Sequence, residues 1–148
     1  MYNHILVATD GSALSIKAAR AGAELAKRLN ATMTAVYVIP PFVPEYVGDG
    51  LFFSTALNKK EYIDGMTAWA GKALAKVAAV ARQSDIAFDS TTIVSPSPWE
   101  GILKTASKLK CDTIVMSSHG RGGLAGVVLG SQTHRVLTHS KIPVLVCR

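Results

Sequence analysis

The sequence predicts an α/β fold, a three-layer α/β/α sandwich in which helices cover both faces of a five-stranded parallel sheet. Five short runs of apolar and β-branched residues alternate with four stretches of helical periodicity. The runs are apolar on both faces, which is typical of strands in a parallel sheet that is covered on each side. The 148 residues suffice for one domain with a buried core, so we expect a single domain over residues 1–148.

A turn separates the first predicted strand from the first predicted helix. His4–Thr9 is an apolar run, which predicts a buried strand, and Asp10-Gly11-Ser12 marks the turn that follows. The side chain of Ser12 is suited to cap the next helix, which runs to about Asn30. The apolar stripe predicted for this helix consists of Leu14, Ala18, Ala21, Leu25 and Leu29.

A long loop lies between the second strand and the second helix. Thr32–Ile39 is rich in β-branched residues and stops at two prolines, which predicts a strand. Residues 40–58 then carry prolines, glycines and aromatic residues, and loops of this length are usually functional or disordered. Asn58 and Glu61 form a capping pair for a helix that runs to about Gln83. Its predicted apolar face consists of Tyr62, Met66, Trp69, Ala73, Val77 and Val80.

The second half of the chain supplies three strands and two helices. The strands are predicted at residues 86–94, 112–116 and 142–147. Ser97 followed by Pro98 and Glu100 indicates a capped helix start. The other helix covers residues 131–138 and follows a glycine-rich loop at residues 117–130.

Composition excludes several classes of protein. The apolar fraction of 49% and the charged fraction of 18% are those of a chain that packs a core. The net charge of +6 and the pI of about 9.5 raise the question of nucleic acid, but the cations are scattered over helix faces and do not alternate with aromatic residues. We therefore expect no nucleic-acid partner. The apolar runs are too short to cross a membrane and no signal peptide is visible, so we expect no membrane association and a cytoplasmic location.

Two loops carry the residues with the most chemical information. In a doubly wound sheet, ligands bind beyond the carboxyl ends of the strands, where the chain direction switches. Asp10 follows the first strand, and the glycine-rich loop follows the fourth. Glycines let backbone N–H groups approach an anion, and the helix that starts at Gly130-Ser131 favours phosphate oxygens through its dipole. Arg121 is placed to neutralise one charge, and Asp10 to hold a ribose hydroxyl or a magnesium ion bound to the phosphates.

Several stretches together resemble the universal stress protein family. They are Ile-Leu-Val-Ala-Thr-Asp-Gly-Ser at the start, Val-Tyr-Val-Ile-Pro after the second strand, Ser-His-Gly-Arg-Gly-Gly-Leu and Leu-Gly-Ser in the loop, and Ser-Lys-Ile-Pro-Val-Leu-Val near the end. Gly120, nine intervening residues and then Gly130-Ser131 are similar to the nucleotide-binding signature of the ATP-binding members. One position departs from it, because Ser117 stands where those members have the first glycine. A Cβ there crowds the nucleotide unless the backbone stays at negative φ.

The resemblance implies a Rossmann-like fold of the adenine nucleotide alpha hydrolase type, and a homodimer that binds ATP or AMP, with or without Mg. Asp10 then lies at the ribose and metal side, the backbone of Val38 meets adenine, and Met116 lies beside that base. The nucleotide-binding residues implied are Ala8, Asp10, Val38, Met116, Ser117, His119, Gly120, Arg121, Gly130, Ser131 and Gln132. The implied dimer forms through the last strand, Ile142 to Cys147, because pairing with the same strand of a second copy would cover an open sheet edge. The alternative is that this strand lies in the middle of the sheet and needs no partner.

Other readings of the same residues have less support. The lysine of a P-loop and the three spaced glycines of a dinucleotide fingerprint are both missing, and any ATP hydrolysis should be slow. A hydrolase built on Ser118 and His119 lacks the GxSxG motif. His134 and His139 do not share a helix face for a metal. Cys111 and Cys147 read as reduced core thiols. The protein is therefore expected to be a ligand-dependent regulator or, alternatively, a dimeric interaction module that binds no nucleotide.

Overall fold

The structure, a computed structural model, describes residues 2–43, 59–120 and 129–148. Strands and helices alternate through these residues. In chain order they are β1 (His4–Ala8), α1 (Ala13–Leu29), β2 (Thr32–Ile39), α2 (Lys59–Ser84), β3 (Phe88–Val94), α3 (Pro98–Lys108), β4 (Thr113–Ser117), α4 (Ser131–His139) and β5 (Val144–Cys147). Most of the predicted elements are present within two residues of their expected ends. The last strand begins at Val144 and not at Ile142, because Ser140 ties Ile142 into a turn through hydrogen bonds to its carbonyl and its amide.

The five strands form one parallel sheet in the order β3-β2-β1-β4-β5. The helices α1 and α2 cover one face of it, where Val77 and Ala23 pack on Val7 and its neighbours. The helices α3 and α4 cover the other face, where Ile102 and Val136 pack among the side chains of β1 and β4. The α/β fold class predicted from the sequence is therefore confirmed. The chain moves outward from β1 through β2 to β3 and then returns to the other side of β1 with β4.

The buried face of α1 overlaps only in part with the predicted stripe: Ala18 is fully buried, and Leu25 and Leu29 pack against the core as partly buried side chains. Leu14 is 37% exposed, whereas Ser15 one residue later is 1% exposed. The buried side chains are small: Ser15, Ala18, Ala19, Gly22, Ala23 and Ala26. A β-carbon at position 22 would lie 2.9 Å from Cγ2 of Val7. The helix thus lies so close to β1 that only its small residues fit between them, and the predicted stripe was rotated by about one position.

The helix α2 also differs in detail from its prediction. Trp69 was expected on the apolar face but is 55% exposed, and Ala70 is buried in its place. Tyr62 is half-buried, and its hydroxyl donates to the carbonyl oxygen of Pro40 at 2.8 Å. The predicted cap Asn58 lies outside the described residues.

The contact between α3 and α4 is made by specific polar and aromatic groups. Ser97 is the N-cap of α3, as predicted, but its side chain makes no capping hydrogen bond. The backbone N–H of Trp99 donates instead to Oε1 of Gln132 at 3.2 Å. The Trp99 ring lies against the His139 ring, with centroids 4.6 Å apart, and the Arg135 guanidinium lies 6.0 Å from its centroid. Contacts near both ends of α4 therefore fix it against the start of α3.

Both cysteines carry free thiols, as expected. Cys111 is buried ahead of β4, and Cys147 is half-buried in β5. Burial, with a smaller contribution from the carboxylate of Asp112, raises the pKa of Cys111 to about 11. Burial also raises the pKa of Cys147. These thiols are packing groups and not thiolate nucleophiles.

Candidate functional site

A crevice opens where the loops after β1 and β4 separate. Because the chain direction switches between these two strands, this is the position at which doubly wound sheets bind ligands. The cavity has a volume of about 200 Å³. Its wall includes side chains from β1, β2, β4, α1, α3 and α4, among them the predicted residues Ala8, Asp10, Val38, Met116, Ser117, His119, Gly120 and Gln132. The topology thus brings together residues that are more than one hundred positions apart in sequence.

The turn after β1 holds the Asp10 carboxylate in place. Its Oδ1 atom accepts a hydrogen bond from the backbone N–H of Ser12 at 2.9 Å. Gly11 has a φ of 79°, a conformation that glycine adopts without strain, and its N–H donates to Oγ1 of Thr9 at 3.1 Å. Ser12 caps α1 as predicted, since its hydroxyl oxygen accepts from the N–H of Ser15 at 3.2 Å. The turn therefore presents a carboxylate at the mouth of the crevice in a defined orientation.

Two buried hydroxyl groups line the crevice below this turn. Oγ1 of Thr9 and Oγ of Ser15 are 3.0 Å apart, and the Ser15 hydroxyl donates to the carbonyl oxygen of Ser12 at 3.0 Å. Both side chains are satisfied by these bonds, which explains how polar groups can be buried here. Neither Thr9 nor Ser15 was among the residues predicted to line the site. Ser15 lies on the buried stripe of small residues in α1, which is not the stripe that hydrophobic periodicity predicts.

Gly120 faces Asp10 across the crevice. A β-carbon at position 120 would lie 2.9 Å from Oδ2 of Asp10 and 3.9 Å from its carboxyl carbon. Real Cβ atoms do not approach an oxygen so closely, so a side chain here would displace the carboxylate. The glycine is therefore required by the close approach of the two loops, and it lies within reach of anything that Asp10 holds.

Ser117 ends β4 in an extended conformation and not in the left-handed region. Its side chain is buried, and its hydroxyl donates to the carbonyl oxygen of His119 at 2.7 Å. The backbone of Ser117 therefore has the negative φ at which its side chain does not crowd a nucleotide. The side chain also performs a local task, since it stabilises the turn that leads from β4 to Gly120.

His119 has one ring nitrogen in contact with Ser118 and the other without a partner. Nδ1 of His119 and Oγ of Ser118 are 3.1 Å apart. Nε2 is buried and has no hydrogen-bond partner among the described residues. Ser118 is 3% exposed and does not belong to the crevice wall, so a substrate in the crevice does not reach its hydroxyl. The pair is thus arranged to orient the His119 ring, and the geometry gives no support to a serine hydrolase.

Gly130 contributes to the site through its shape. Its N–H donates to the carbonyl oxygen of Ser118 at 2.7 Å and so is not free for an anion, contrary to the expectation from the sequence. A β-carbon there would lie 3.1 Å from that carbonyl oxygen. The next residues begin α4, and the N–H groups of Ser131, Gln132 and Thr133 have no acceptor within the helix. A helix start of this kind favours an anion; Gln132 and Thr133 line the crevice, whereas the predicted residues Gly130 and Ser131 are not among its lining residues.

The opposite wall of the crevice is apolar. Val38 from β2, Ile102 from α3 and Met116 from β4 lie on it, together with Val36 and Pro98. The polar lining residues include Asp10 after β1, and Gln132 and Thr133 at the start of α4. The crevice therefore has an apolar end and a polar end, which is typical of sites for small molecules with both characters.

Lys76 places a positive charge beside the turn after β1 that was not predicted from the sequence. It lies on α2, and its Nζ donates to the carbonyl oxygen of Gly11 at 3.2 Å. No local pattern links residue 76 to residue 11, so only the tertiary structure reveals the contact. The predicted cation Arg121 lies outside the described residues. Within the described ranges, no group of three or more His, Cys, Asp or Glu side chains is arranged to hold a metal ion.

Comparison with known proteins agrees with this geometry. The sequence profile of the universal stress protein family matches residues 1–148. The chain belongs to the universal stress protein family. Among curated members it is 33% identical over 150 residues to universal stress protein MJ0531 of Methanocaldococcus jannaschii, covering 100% of this chain and 83% of that protein. It is 31% identical over 148 residues to a universal stress protein of Thermus aquaticus, with 100% of both chains covered.

Solved structures of other universal stress proteins share the fold. The Archaeoglobus fulgidus protein in complex with dAMP has a TM-score of 0.72 at 20% identity, covering 99% of this chain and 98% of that one. A universal stress protein in complex with cAMP has a TM-score of 0.73 at 23% identity, covering 99% and 97%. Both of those family members therefore bind adenine nucleotides. In the described part of this chain, no helix combines the length and the apolar character needed to cross a bilayer.

Proposed function

We propose that this universal stress protein binds an adenine nucleotide, ATP or AMP, in the crevice between β1 and β4. In this proposal it acts in the cytoplasm as a nucleotide-dependent regulatory protein with little or no hydrolytic activity. The observation that carries the proposal is the approach of Gly120 to the Asp10 carboxylate, at 2.9 Å for a β-carbon at position 120. In dinucleotide-binding doubly wound folds, an acidic side chain holds the ribose hydroxyls, and Asp10 is proposed for the same task here.

The apolar end of the crevice fits the adenine base. Val38, Ile102 and Met116 offer aliphatic and thioether surfaces to the two faces of a flat ring. Burying such a ring contributes about 25 cal/mol per Å² of apolar surface removed from water. The base would lie against β2 and β4, and the ribose would then reach Asp10.

The phosphate groups would lie at the start of α4. Ser131, Gln132 and Thr133 supply N–H groups without intrahelical acceptors, and Gly130 allows the chain to turn tightly against Ser118. Arg121 is proposed as a further phosphate contact. One carboxylate, that of Asp10, is too few to hold Mg²⁺ by itself, so magnesium would arrive bound to the phosphates.

We also propose a homodimer through β5. This strand lies at an edge of the sheet and pairs on one side with β4. The carbonyl oxygen of Cys147 accepts a hydrogen bond from Ser118 of the β4 end, and that of Pro143 accepts from Ile114. Since the backbone groups of successive residues point to opposite sides of a strand, those of Val144 and Val146 point away from β4. A second copy of this edge is the occupant that the proposal assigns to them.

Calorimetric titration with AMP, and with ATP in the presence and absence of magnesium, tests nucleotide binding. We expect micromolar affinity for the natural chain. Gly120→Ala should weaken binding by about tenfold or more, because displacing the Asp10 carboxylate removes a charge-assisted hydrogen bond worth about 1.5–3 kcal/mol. Gly71→Ala is the matched control, since position 71 has nothing within 4 Å of a new β-carbon, and it should bind as the natural chain does.

Two outcomes would contradict the proposal. Equal affinity of the Gly120→Ala variant and the natural chain would show that Asp10 does not hold the ligand. The absence of binding up to millimolar nucleotide would instead favour the alternative, a dimeric interaction module that binds no nucleotide.

A further inference from the structure

A second cavity lies at the amino-terminal ends of β4 and β5, opposite the end of the strands at which the crevice opens. Its volume is about 420 Å³, which is larger than that of the nucleotide crevice. It is enclosed by the carboxyl-terminal half of α3, the residues just before β4, and the loop from α4 to β5. Cys111 and Ile142, which lie on its wall, precede β4 and β5. The two cavities therefore open at opposite ends of the strands.

This cavity is lined by several positive charges. Lys104, Lys110 and Lys141 all contribute to the wall, and His139 adds an imidazole. No Asp or Glu is found among its described lining residues. Two ion pairs of the described chain, Arg28 with Glu24 and Lys60 with Asp64, lie on other helices. Lys104, Lys110 and Lys141 thus border the same recess, and within the described ranges none of them forms an ion pair with a carboxylate.

Asp112, the acidic residue nearest to Lys110 in the sequence, is already engaged elsewhere. Asp112 follows Cys111, but its Oδ2 atom accepts hydrogen bonds from the backbone N–H groups of Asn3 at 2.6 Å and His4 at 2.8 Å. Its carboxylate therefore stabilises the start of β1, and it is absent from the cavity wall. The Asp112 carboxylate therefore does not neutralise the lysines of this cavity.

The backbone around the cavity is fixed by hydrogen bonds. Lys110 has a φ of 53°, and its N–H donates to the carbonyl oxygen of Ser107 at 3.2 Å. The N–H of Cys111 donates to the carbonyl oxygen of Ala106 at 2.9 Å. On the other side, the Ser140 hydroxyl donates to the carbonyl oxygen of Ile142 at 2.6 Å. The segments that carry Lys110 and Lys141 are thus held in position before any ligand arrives, which lowers the entropic cost of binding.

A purely structural role predicts a different behaviour for these lysines. Cations near helix carboxyl ends interact favourably with the helix dipole, and both α3 and α4 end beside this cavity. That role would make the lysines contribute to stability independently of any solute. It assigns no role to the half-open recess between them, and the two roles give different results in the experiment below.

We propose that this cavity binds a small multivalent anion of the phosphate type. Lysine ammonium groups bind phosphate oxygens as point charges, and three of them match a ligand with at least two negative charges. The apolar floor formed by Leu103, Ala106 and Ile142 accommodates a carbon skeleton attached to the phosphate. This inference is independent of the nucleotide proposal, because the two sites share no lining residue among those described.

An NMR titration of the ¹⁵N-labelled full chain with inorganic pyrophosphate tests the proposal. We expect saturable shifts of the backbone amide signals of residues 103–111 and 139–142, which weaken when sodium chloride is added. The double variant Lys104→Ala, Lys141→Ala should lose at least about tenfold in affinity at these signals. The control double variant Lys17→Ala, Lys72→Ala has the same net charge and replaces two exposed lysines outside the cavity, so it should keep the affinity of the natural chain.

Thermal unfolding distinguishes the anion site from the helix-dipole role. Pyrophosphate should raise the Tm of the natural chain and of the control variant by more than that of Lys104→Ala, Lys141→Ala, which keeps only the phosphate contacts proposed at α4. The proposal is wrong if no saturable shifts arise at these residues up to millimolar pyrophosphate, or if both double variants respond alike. Shifts confined to residues 117–120 and 130–133 would report phosphate in the nucleotide crevice and would equally refute a second site.

Discussion

Alanine in place of Gly101 tests how closely α3 packs on the sheet. A β-carbon at this position would lie 2.9 Å and 3.0 Å from the two γ-carbons of Val38, and 3.2 Å from Cγ2 of Ile93. Val38 is β-branched, so rotation about χ1 moves one methyl group away only by bringing the other in. Either the helix or β2 must therefore shift.

The size of the effect follows from a comparison with Gly71→Ala. In both helices the substitution adds about 0.5–1 kcal/mol of helix stability, because glycine is a poor helix former. At Gly71 a new β-carbon meets nothing within 4 Å, so this gain is the whole effect. At Gly101 an overpacking cost of about 1–3 kcal/mol is added, and the propensity term cancels when the two variants are compared. Gly101→Ala should thus be less stable than Gly71→Ala by about 1–3 kcal/mol.

Urea unfolding followed by circular dichroism measures this difference, and equal slopes in urea show that the unfolded states are alike. Each kcal/mol corresponds to about 2–4 °C in Tm for a chain of this size. Because Val38 lines the crevice, nucleotide affinity should fall in Gly101→Ala as well. If the two alanine variants are equally stable, the reasoning about close packing at Gly101 is refuted.

Three further predictions concern the sheet edge and two titrating groups. Val146→Pro removes an N–H that points away from β4, so light scattering should show a monomer while the fold is kept; a persistent dimer would place the interface elsewhere. Backbone hydrogen bonds from Asn3 and His4 lower the pKa of Asp112 below 3.8, so this carboxylate stabilises the fold at neutral pH and loses that effect as the pH falls through the lowered pKa; Asp112→Asn should flatten the acid limb of the stability curve. Burial raises the pKa of Cys111 from 9.0 to about 11, so unfolding free energy should fall as the pH rises through this range, and Cys111→Ala should lack that slope.

The order and kind of the elements could be predicted from the sequence because most strands are short apolar runs bounded by a turn or a proline, while the largely polar β3 is still rich in β-branched residues. The face that α1 buries could not be predicted in this way. Its sequence is apolar on two adjacent sides, and hydrophobicity alone favours the side with Leu14. Packing favours the side with Ser15 and Gly22, because only small residues allow the helix to approach Val7 so closely. Contact distance, which periodicity does not encode, decides between the two sides.

The residues of the site that the sheet topology alone brings together could be predicted from the sequence. Asp10 and Gly120 come together because parallel strands end at one edge, and glycine spacing pointed to the α4 start. The bond from the Gly130 amide to Ser118, and the contact of Lys76 with Gly11, depend on how loops and helices from distant parts of the chain fit together. Such contacts have no local sequence signal.

The position of Trp99 gives the molecule a natural optical reporter. Its amide is bonded to Gln132 at the crevice, and its ring rests on His139 beside the lysine-lined cavity. Of the two tryptophans in the chain, the other, Trp69, is 55% exposed and can be replaced by phenylalanine. The fluorescence of the remaining indole would then register a change at either end of α4, without any attached dye.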